Sequence, residues 1–261
     1  MKKSSLHKKT IVLTRTEADN AALRERLEND HDAIVLEMPL IEVDYSTEAD
    51  IQEEVLETFG EYDWLVFTSV HGVEGFFKRF FKRFKDIRCI GGCRIACVGP
   101  ATAAAVEAFH LEVDIVPETH TGEALARLMI EKCGIENVKI CVVTGNRNKE
   151  NLAKTLQDDG NAIVDCFPVY ATSSSDLSTH AAAVSFRENG AHAIIFASPS
   201  AVQSFVDQAR LLQIANDAVQ PKVIAIGEVT AAELRRKTIP VAAVAKRATV
   251  AGILEALESV F

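Results

Sequence analysis

Short apolar runs of four to six residues punctuate this chain, and between them apolar positions recur every three or four residues. The short runs lie near 10–14, 33–36, 63–67, 93–98 and 112–116, and again near 138–143, 162–167, 193–196, 222–226 and 240–244. They are rich in Val and Ile, as strands buried on both faces tend to be. The segments between them carry helical periodicity. "EADNAALRERLEND" sets Ala18, Ala21, Ala22, Leu23 and Leu27 on one side. Alternating strand and helix predicts an α/β fold of doubly wound parallel sheets, with ligands held beyond the carboxyl ends of the strands.

The pattern occurs twice. "LENDHDAIVLEMPLI" lies over "LQDDGNAIVDCFPVY" with Pro39 above Pro168, an offset of 129. "WLVFTSVHGVEGFF" lies over "AIIFASPSAVQSFV" at the same offset. "RIACVGPATAAAV" over "KVIAIGEVTAAEL" pairs Gly99 with Gly227 at 128, and Thr121 pairs with Thr249 at 128. Four segments in register to within one residue predict two copies of one fold, arisen by internal duplication.

Two joints break the rhythm. "LEMPLIEVDYS" (36–46) and "CFPVYATSSS" (166–175) are extended, carry a proline and then turn polar. Because they occupy the same place in both halves, the chain is expected to cross between lobes twice. The predicted lobes are then 1–38 with 175–261, and 46–166, with 39–45 and 167–174 as linkers.

Composition narrows the class. The chain has 261 residues, 48% of them hydrophobic, which is enough for two cores. No apolar run reaches the ~18 residues of a membrane span. The basic start "MKKSSLHKK" is not followed by a signal core, so a cytoplasmic protein is expected. A net charge of −9 argues against a nucleic-acid binder and requires local donors for any anionic ligand. Cys89, Cys93 and Cys97 are spaced by four, but along a strand Cys93 and Cys97 would lie roughly 13 Å apart, too far for one zinc ion. The six cysteines are read as reduced, mostly buried thiols, and no metal is expected.

Candidate chemistry gathers at the strand-to-helix turns. "FTSVHGV" (67–73) and "FASPSAV" (196–202) each end a strand in small hydroxyl residues and open a helix, where unpaired N–H groups and the helix dipole favour anions. Thr68 and Ser69, and Ser198, Pro199 and Ser200, are candidates there. "VGPAT" and "IGEVT" add Gly99, Thr102, Gly227 and Thr230, and "TGNRNKENL" adds Gly145 and Arg147. A second reading is that Ser69, Thr102, Ser198 and Thr230 are helix N-caps and nothing more. His71 reads as a helix-start residue. "FFKRFFKRFK" places Phe76, Phe77, Phe80, Phe81 and Phe84 on one face with Lys and Arg opposite, a helix expected to pack on the sheet rather than on a membrane. No phosphate-binding glycine motif, hydrolase triad or zinc-protease motif is legible.

Taken in order, "VLTR" with Arg15, "FTSVHGV", "VGPATA", the "TG" turn, "FPVY", "FASPSAV" and "AIGEVTAAEL" resemble the uroporphyrinogen-III synthase family over nearly the whole chain. Position 71 holds His where that family usually shows Asn. The resemblance implies two lobes joined by a two-stranded linker ladder and a cofactor-free lyase. Its substrate would be hydroxymethylbilane, a linear tetrapyrrole polycarboxylate, taken in a cleft between the lobes. Water leaves, a spiro intermediate forms, and the last ring closes inverted. The resemblance makes Tyr170 of "FPVY" the proton donor to the leaving hydroxyl. Ile41 holds the matching place in the first half, so the repeat alone does not demand a tyrosine, although interlobe packing would also use one. A monomer is implied, with hand-over from hydroxymethylbilane synthase admitted. The alternative class is a non-catalytic two-lobed sensor or carrier of an anionic ligand.

Overall fold

The computed structural model describes residues 4–46, 50–146 and 151–261, with the side chains of 50–53 outside the description. In chain order the elements are β1 (Thr10–Leu13), α1 (Glu17–Asn29), β2 (Ile34–Glu37), β3 (Ile41–Asp44), α2 (Asp50–Glu57), β4 (Trp64–Phe67), α3 (Val70–Arg83), β5 (Arg94–Cys97), α4 (Pro100–Glu107) and α5 (Gly122–Cys133). They continue with β6 (Lys139–Gly145), α6 (Asn151–Asp158), β7 (Ile163–Ser174), α7 (Ala181–Asn189), β8 (Ala193–Phe196), α8 (Pro199–Asp207), β9 (Lys222–Ala225), α9 (Glu228–Arg236), β10 (Ala243–Val244) and α10 (Val250–Glu258).

The chain divides into two units. One holds Met1–Glu42 with Ser173–Phe261, the other Val43–Thr172. Each is built on one five-stranded sheet. The first sheet runs β10-β9-β8-β1-β2 and the second β3-β7-β6-β4-β5. The pairs β1–β2, β1–β8, β8–β9 and β9–β10, and β4–β5, β4–β6 and β6–β7, are parallel. Moving β1, β2 and β4 along the chain by 129 residues lands on β6, β7 and β8.

Alternation along the strands supplies two cores to each unit. In β4, Leu65 and Phe67 face the α3 side, while Trp64 and Val66 face α5 and α6. In β1, Val12 joins one cluster and Ile11 and Leu13 the other. The α3 side of the second unit is an aromatic cluster in which Phe76 stacks on Phe80 at 5.6 Å and meets Phe67 edge-on at 5.4 Å. Such pairs add about 0.5–1.5 kcal/mol each beyond their burial. Gly75 lets α3 approach β7, since a Cβ there would lie 2.8 Å from the Val169 carbonyl oxygen.

Several expectations need correction. The run at 112–116 is not a strand: only Ile115 bridges to Ala96, because its positions alternate between exposed and half-buried at the sheet's edge. β10 is two residues long rather than five. On α1 the buried stripe is Asn20, Leu23 and Leu27, while Ala18, Ala21 and Ala22 face solvent. Phe81 is 42% exposed, one step around the helix from the buried face, and keeps a stacking contact with Phe77. Of the cysteines only Cys97 and Cys141 are buried; Cys89 and Cys166 are exposed. The second joint runs within β7, which is 12 residues long, and β3, from the first joint, lies beside it.

Candidate functional site

In the second sheet the chain leaves β4 toward β5 and leaves β6 toward β7, in opposite directions. The carboxyl ends of β4 and β6 therefore flank the crevice where open α/β sheets bind ligands. Thr68, just past β4, donates its hydroxyl to the Val143 carbonyl of β6 at 3.1 Å. Ser69 caps α3 by accepting the Gly72 N–H at 3.0 Å. The same Ser69 oxygen lies 3.1 Å from the Tyr170 hydroxyl.

Tyr170 is held from beneath by Gly145. A Cβ on residue 145 would lie 2.4 Å from Cζ of the tyrosine ring, so only glycine leaves the ring where it is. The β6–β7 register shifts between Thr144 and Gly145. Asn146 then repairs the ladder. Its N–H donates to the Tyr170 carbonyl at 3.1 Å, and its side-chain oxygen accepts the Thr172 N–H at 2.8 Å. Burial pushes the Tyr170 phenol up from its ordinary value, with the Ser69 bond acting the other way. At neutral pH the phenol is protonated and can serve as a proton donor. Ser69 keeps one hydrogen and one lone pair after accepting the Gly72 N–H, so either hydroxyl can donate in the Ser69–Tyr170 contact.

A second cluster adjoins the first. The Tyr45 hydroxyl donates to Glu74 Oε2 at 2.5 Å and lies 3.1 Å from His71 Nδ1. The His71 and Tyr170 rings are 5.8 Å apart. Lys78 sits 3.6 Å over the Tyr45 ring, and Arg79 donates to the Tyr45 carbonyl. Burial lowers the Arg79 pKa, with Asp44 opposing. Sequence reading missed Tyr45, Glu74 and Asn146. The signal for Tyr45 was present, since the chain has three tyrosines and two of them stand in the joints.

In the first sheet the divergence falls between β8 and β1. A cavity of about 200 Å³ opens there, lined among others by Thr14, Arg15, Asn20, Ala197, Ile226 and Thr249. Thr14 ties β1 to β8 by donating to the Ile195 carbonyl at 2.7 Å. Arg15 pairs with Asp19 at 3.4 Å. Ser198 caps α8 by accepting the Ala201 N–H at 3.1 Å, with Pro199 and half-buried Ser200 in the first turn.

Thr68, Ser69, Gly145 and Tyr170 thus come together in the second unit. Gly99 lies one strand over at the start of α4, and Gly227 starts α9; neither helix has a side-chain cap. Thr102 and Thr230 are not the N-caps of these helices. They stand three residues inside, buried to 6% and 3% exposure, because the glycines take the cap position. Arg147 lies outside the described residues. Among the described residues no cluster of metal-ligating side chains occurs, and no helix is long and apolar enough to cross a membrane.

The family model described as "Uroporphyrinogen-III synthase HemD" matches residues 21–255. A "Porphyrin biosynthesis protein HemD" of Ruminiclostridium josui is 28% identical over 75% of this chain, a match that spans 38% of that protein's length. A "Uroporphyrinogen-III synthase" of Synechococcus elongatus is 26% identical over 76% of this chain and 73% of its own. Among solved structures, a mutant uroporphyrinogen III synthase of Thermus thermophilus superposes with TM-score 0.65 at 17% identity, over 96% of this chain and 98% of that one. The enzyme of Helicobacter pylori gives 0.60 at 17%, over 97% and 100%. At these identities the structures speak for the fold.

Proposed function

Because the chain belongs to the uroporphyrinogen-III synthase family, a family of cyclising lyases of tetrapyrrole biosynthesis, we propose that it closes hydroxymethylbilane to uroporphyrinogen III with inversion of the last ring. The observation that carries the reading is the Tyr170 phenol, held against Ser69 at the divergence of the second sheet and kept protonated by burial.

Tyr170 gives its proton to the hydroxyl of the substrate, which departs as water and leaves an azafulvenium cation. The last ring attacks through its substituted carbon, forms the spiro intermediate, fragments and recloses. These intermediates are reactive, so the chain's main tasks are positioning and exclusion of the direct closure. Carboxylates of the substrate are met by helix starts and hydroxyls at Thr68, Ser69, Gly99, Ser198 to Ser200 and Gly227, with Arg15 in the first unit supplying charge. Thr102 and Thr230, being buried, support those turns from behind.

The same reading holds the two units to be copies of one fold. The matching strand orders support it, with β9, β8, β1 and β2 standing as β5, β4, β6 and β7 do. It places the boundaries at 39–45 and 167–174, and takes the protein as a cofactor-free cytoplasmic monomer that admits hand-over of substrate from hydroxymethylbilane synthase. The test is to supply hydroxymethylbilane and resolve the uroporphyrinogen isomers by chromatography. Type III product is expected. A protein yielding only the spontaneous type I isomer would be the non-catalytic carrier.

A further inference from the structure

The segment from Lys78 to Arg88 concentrates positive charge in an acidic chain. It holds Lys78, Arg79, Lys82, Arg83, Lys85 and Arg88 against Asp86 alone, while the whole protein carries −9. Asp86 pairs with Arg88, and Arg79 donates to the Tyr45 carbonyl. Lys82, Arg83 and Lys85 are exposed and, among the described residues, have no acidic partner. The fold does not require these charges. At an offset of 129 the second half has Asp207, Gln208, Leu211, Leu212 and Ile214 in place of Lys78, Arg79, Lys82, Arg83 and Lys85, and α8 packs on its sheet all the same. The helix dipole accounts for Lys82 and Arg83 in the last turn of α3, but not for Lys78 before that turn or Lys85 beyond the helix.

The basic face leads to the site. At 3.6 residues per turn, His71, Lys78 and Lys82 fall within about 40° of one line along α3, which covers roughly 17 Å. Contacts fix its near end. Lys78 Nζ is 3.6 Å over the Tyr45 ring, the Tyr45 hydroxyl is 3.1 Å from His71 Nδ1, and the His71 and Tyr170 rings are 5.8 Å apart. The carboxylates beside this line are Glu74, which accepts from the Tyr45 hydroxyl, and Asp44, which accepts from Ser46 and lies near Arg79. The cations without an acidic partner stand at the far end, where α3 finishes.

We propose that the basic face of α3 captures the polycarboxylate substrate from solution and steers it along the helix to the Ser69–Tyr170 corner. This rests on the cyclising reading and deepens it. The free substrate closes spontaneously to the type I product, so capture competes with loss. A local field of one sign raises the association rate of an oppositely charged ligand by about 10–10³-fold, and salt weakens the effect. The screening length at 0.15 M salt is about 8 Å, shorter than the line from Lys82 to His71, so Lys78 continues the attraction where that of Lys82 fades.

The test combines Lys82→Gln, Arg83→Gln and Lys85→Gln in one protein. The control combines Arg127→Gln, Lys132→Gln and Lys154→Gln on α5 and α6, across the sheet from α3, and changes the net charge equally. Type III formation from hydroxymethylbilane is followed from about 20 mM to about 0.5 M NaCl, with circular dichroism to confirm folding. Wild-type kcat/KM is expected to fall with salt. At low salt the α3 variant should be about tenfold lower, the loss lying in KM rather than kcat, and its salt dependence should largely vanish. The control, and the charge-keeping set Lys82→Arg, Arg83→Lys and Lys85→Arg, should follow wild type. A wild-type kcat/KM that does not change with salt, or equal losses in the α3 variant and the control, overturns the proposal alone. Wild-type protein that pellets with phosphatidylserine vesicles, while the α3 variant keeps wild-type kinetics, assigns the face to a membrane and also overturns it. A wild-type protein that forms no type III isomer overturns the cyclising reading and this proposal with it.

Discussion

Replacing Gly145 with alanine adds one carbon beneath the Tyr170 ring. That carbon would lie 2.4, 2.5 and 2.9 Å from three ring atoms. Ordinary carbon contacts are 3.5–4.0 Å, so the ring must withdraw by roughly 1.1–1.6 Å. The backbone itself allows alanine, because Gly145 is not among the glycines at positive φ. The perturbation is therefore confined to the ring's position. A shift of that size directed along the 3.1 Å contact with Ser69 would stretch it to about 4.2 Å or more, outside hydrogen-bond range. The lost bond costs about 0.5–1.5 kcal/mol and the overpacking about 1–3 kcal/mol of stability. Misplacing the donor by an ångström should cost about 10²-fold in turnover. The assay is the initial rate of type III formation, with thermal unfolding measured in parallel. Gly60→Ala is the control, since nothing lies within 4 Å of its added carbon. Tyr170→Phe keeps the ring and removes the hydroxyl, and should lose about 10²–10⁴-fold. In the double variant, Gly145→Ala should then add almost nothing. A Gly145→Ala protein at wild-type rate, or losses that multiply in the double variant, would refute the reasoning.

Three further outcomes are expected. His192 Nδ1 accepts the Thr10 N–H at 3.0 Å, and burial, then Lys9, lowers its pKa below 6.5. The native state thus binds fewer protons than the unfolded chain. Its contribution is present above about pH 6.5 and is lost as the pH falls through the lowered value, so acid unfolding curves of His192→Gln should be flatter there. A thiol reagent at pH 8 should label exposed Cys89 and Cys166 in the native protein, whereas Cys97, its thiol pushed up to about 12 by burial, and buried Cys141 should react only on unfolding; labelling of Cys97 at the rate of Cys89 would contradict the core assignment. A fragment of residues 43–172 should unfold cooperatively in denaturant, and a featureless, non-cooperative signal would count against its independence.

The strands and their helix starts were legible because each is a local signal. "WLVF" and "AIIF" are apolar on every residue because both faces of the sheet are covered, and Ser69, Ser198, Thr121 and Thr249 cap their helices as their residue types suggest. Ile115 misled because a single bridge at a sheet edge needs no more than a half-buried run. Thr102 and Thr230 misled because Gly99 and Gly227 already satisfy the cap geometry, which frees the threonines to turn inward. The Tyr45 cluster was invisible for another reason. Its members stand 26 and 29 residues apart and meet only after α2 and β4 have returned the chain to place α3 against the end of β3, a distance no helical or strand period encodes.

Leu40 and Ser175 are joined by a backbone hydrogen bond of 3.1 Å, and β3 and β7, which follow and precede them, are neighbours in one ladder. This bears on the order of folding. The first unit must pair β1 with β8 across most of the chain, as in the register of Ile11 with Ala193. Bringing together the ends of an unstructured segment of that length costs about 4 kcal/mol in closure entropy. A folded second unit lowers it by about 1 kcal/mol, because its own sheet already holds Leu40 and Ser175 side by side and leaves only the shorter segments 14–40 and 175–192 to close. The inserted unit thereby acts as a clasp: once it has formed, the two segments of the first unit assemble as though the chain inserted between Leu40 and Ser175 were a short turn.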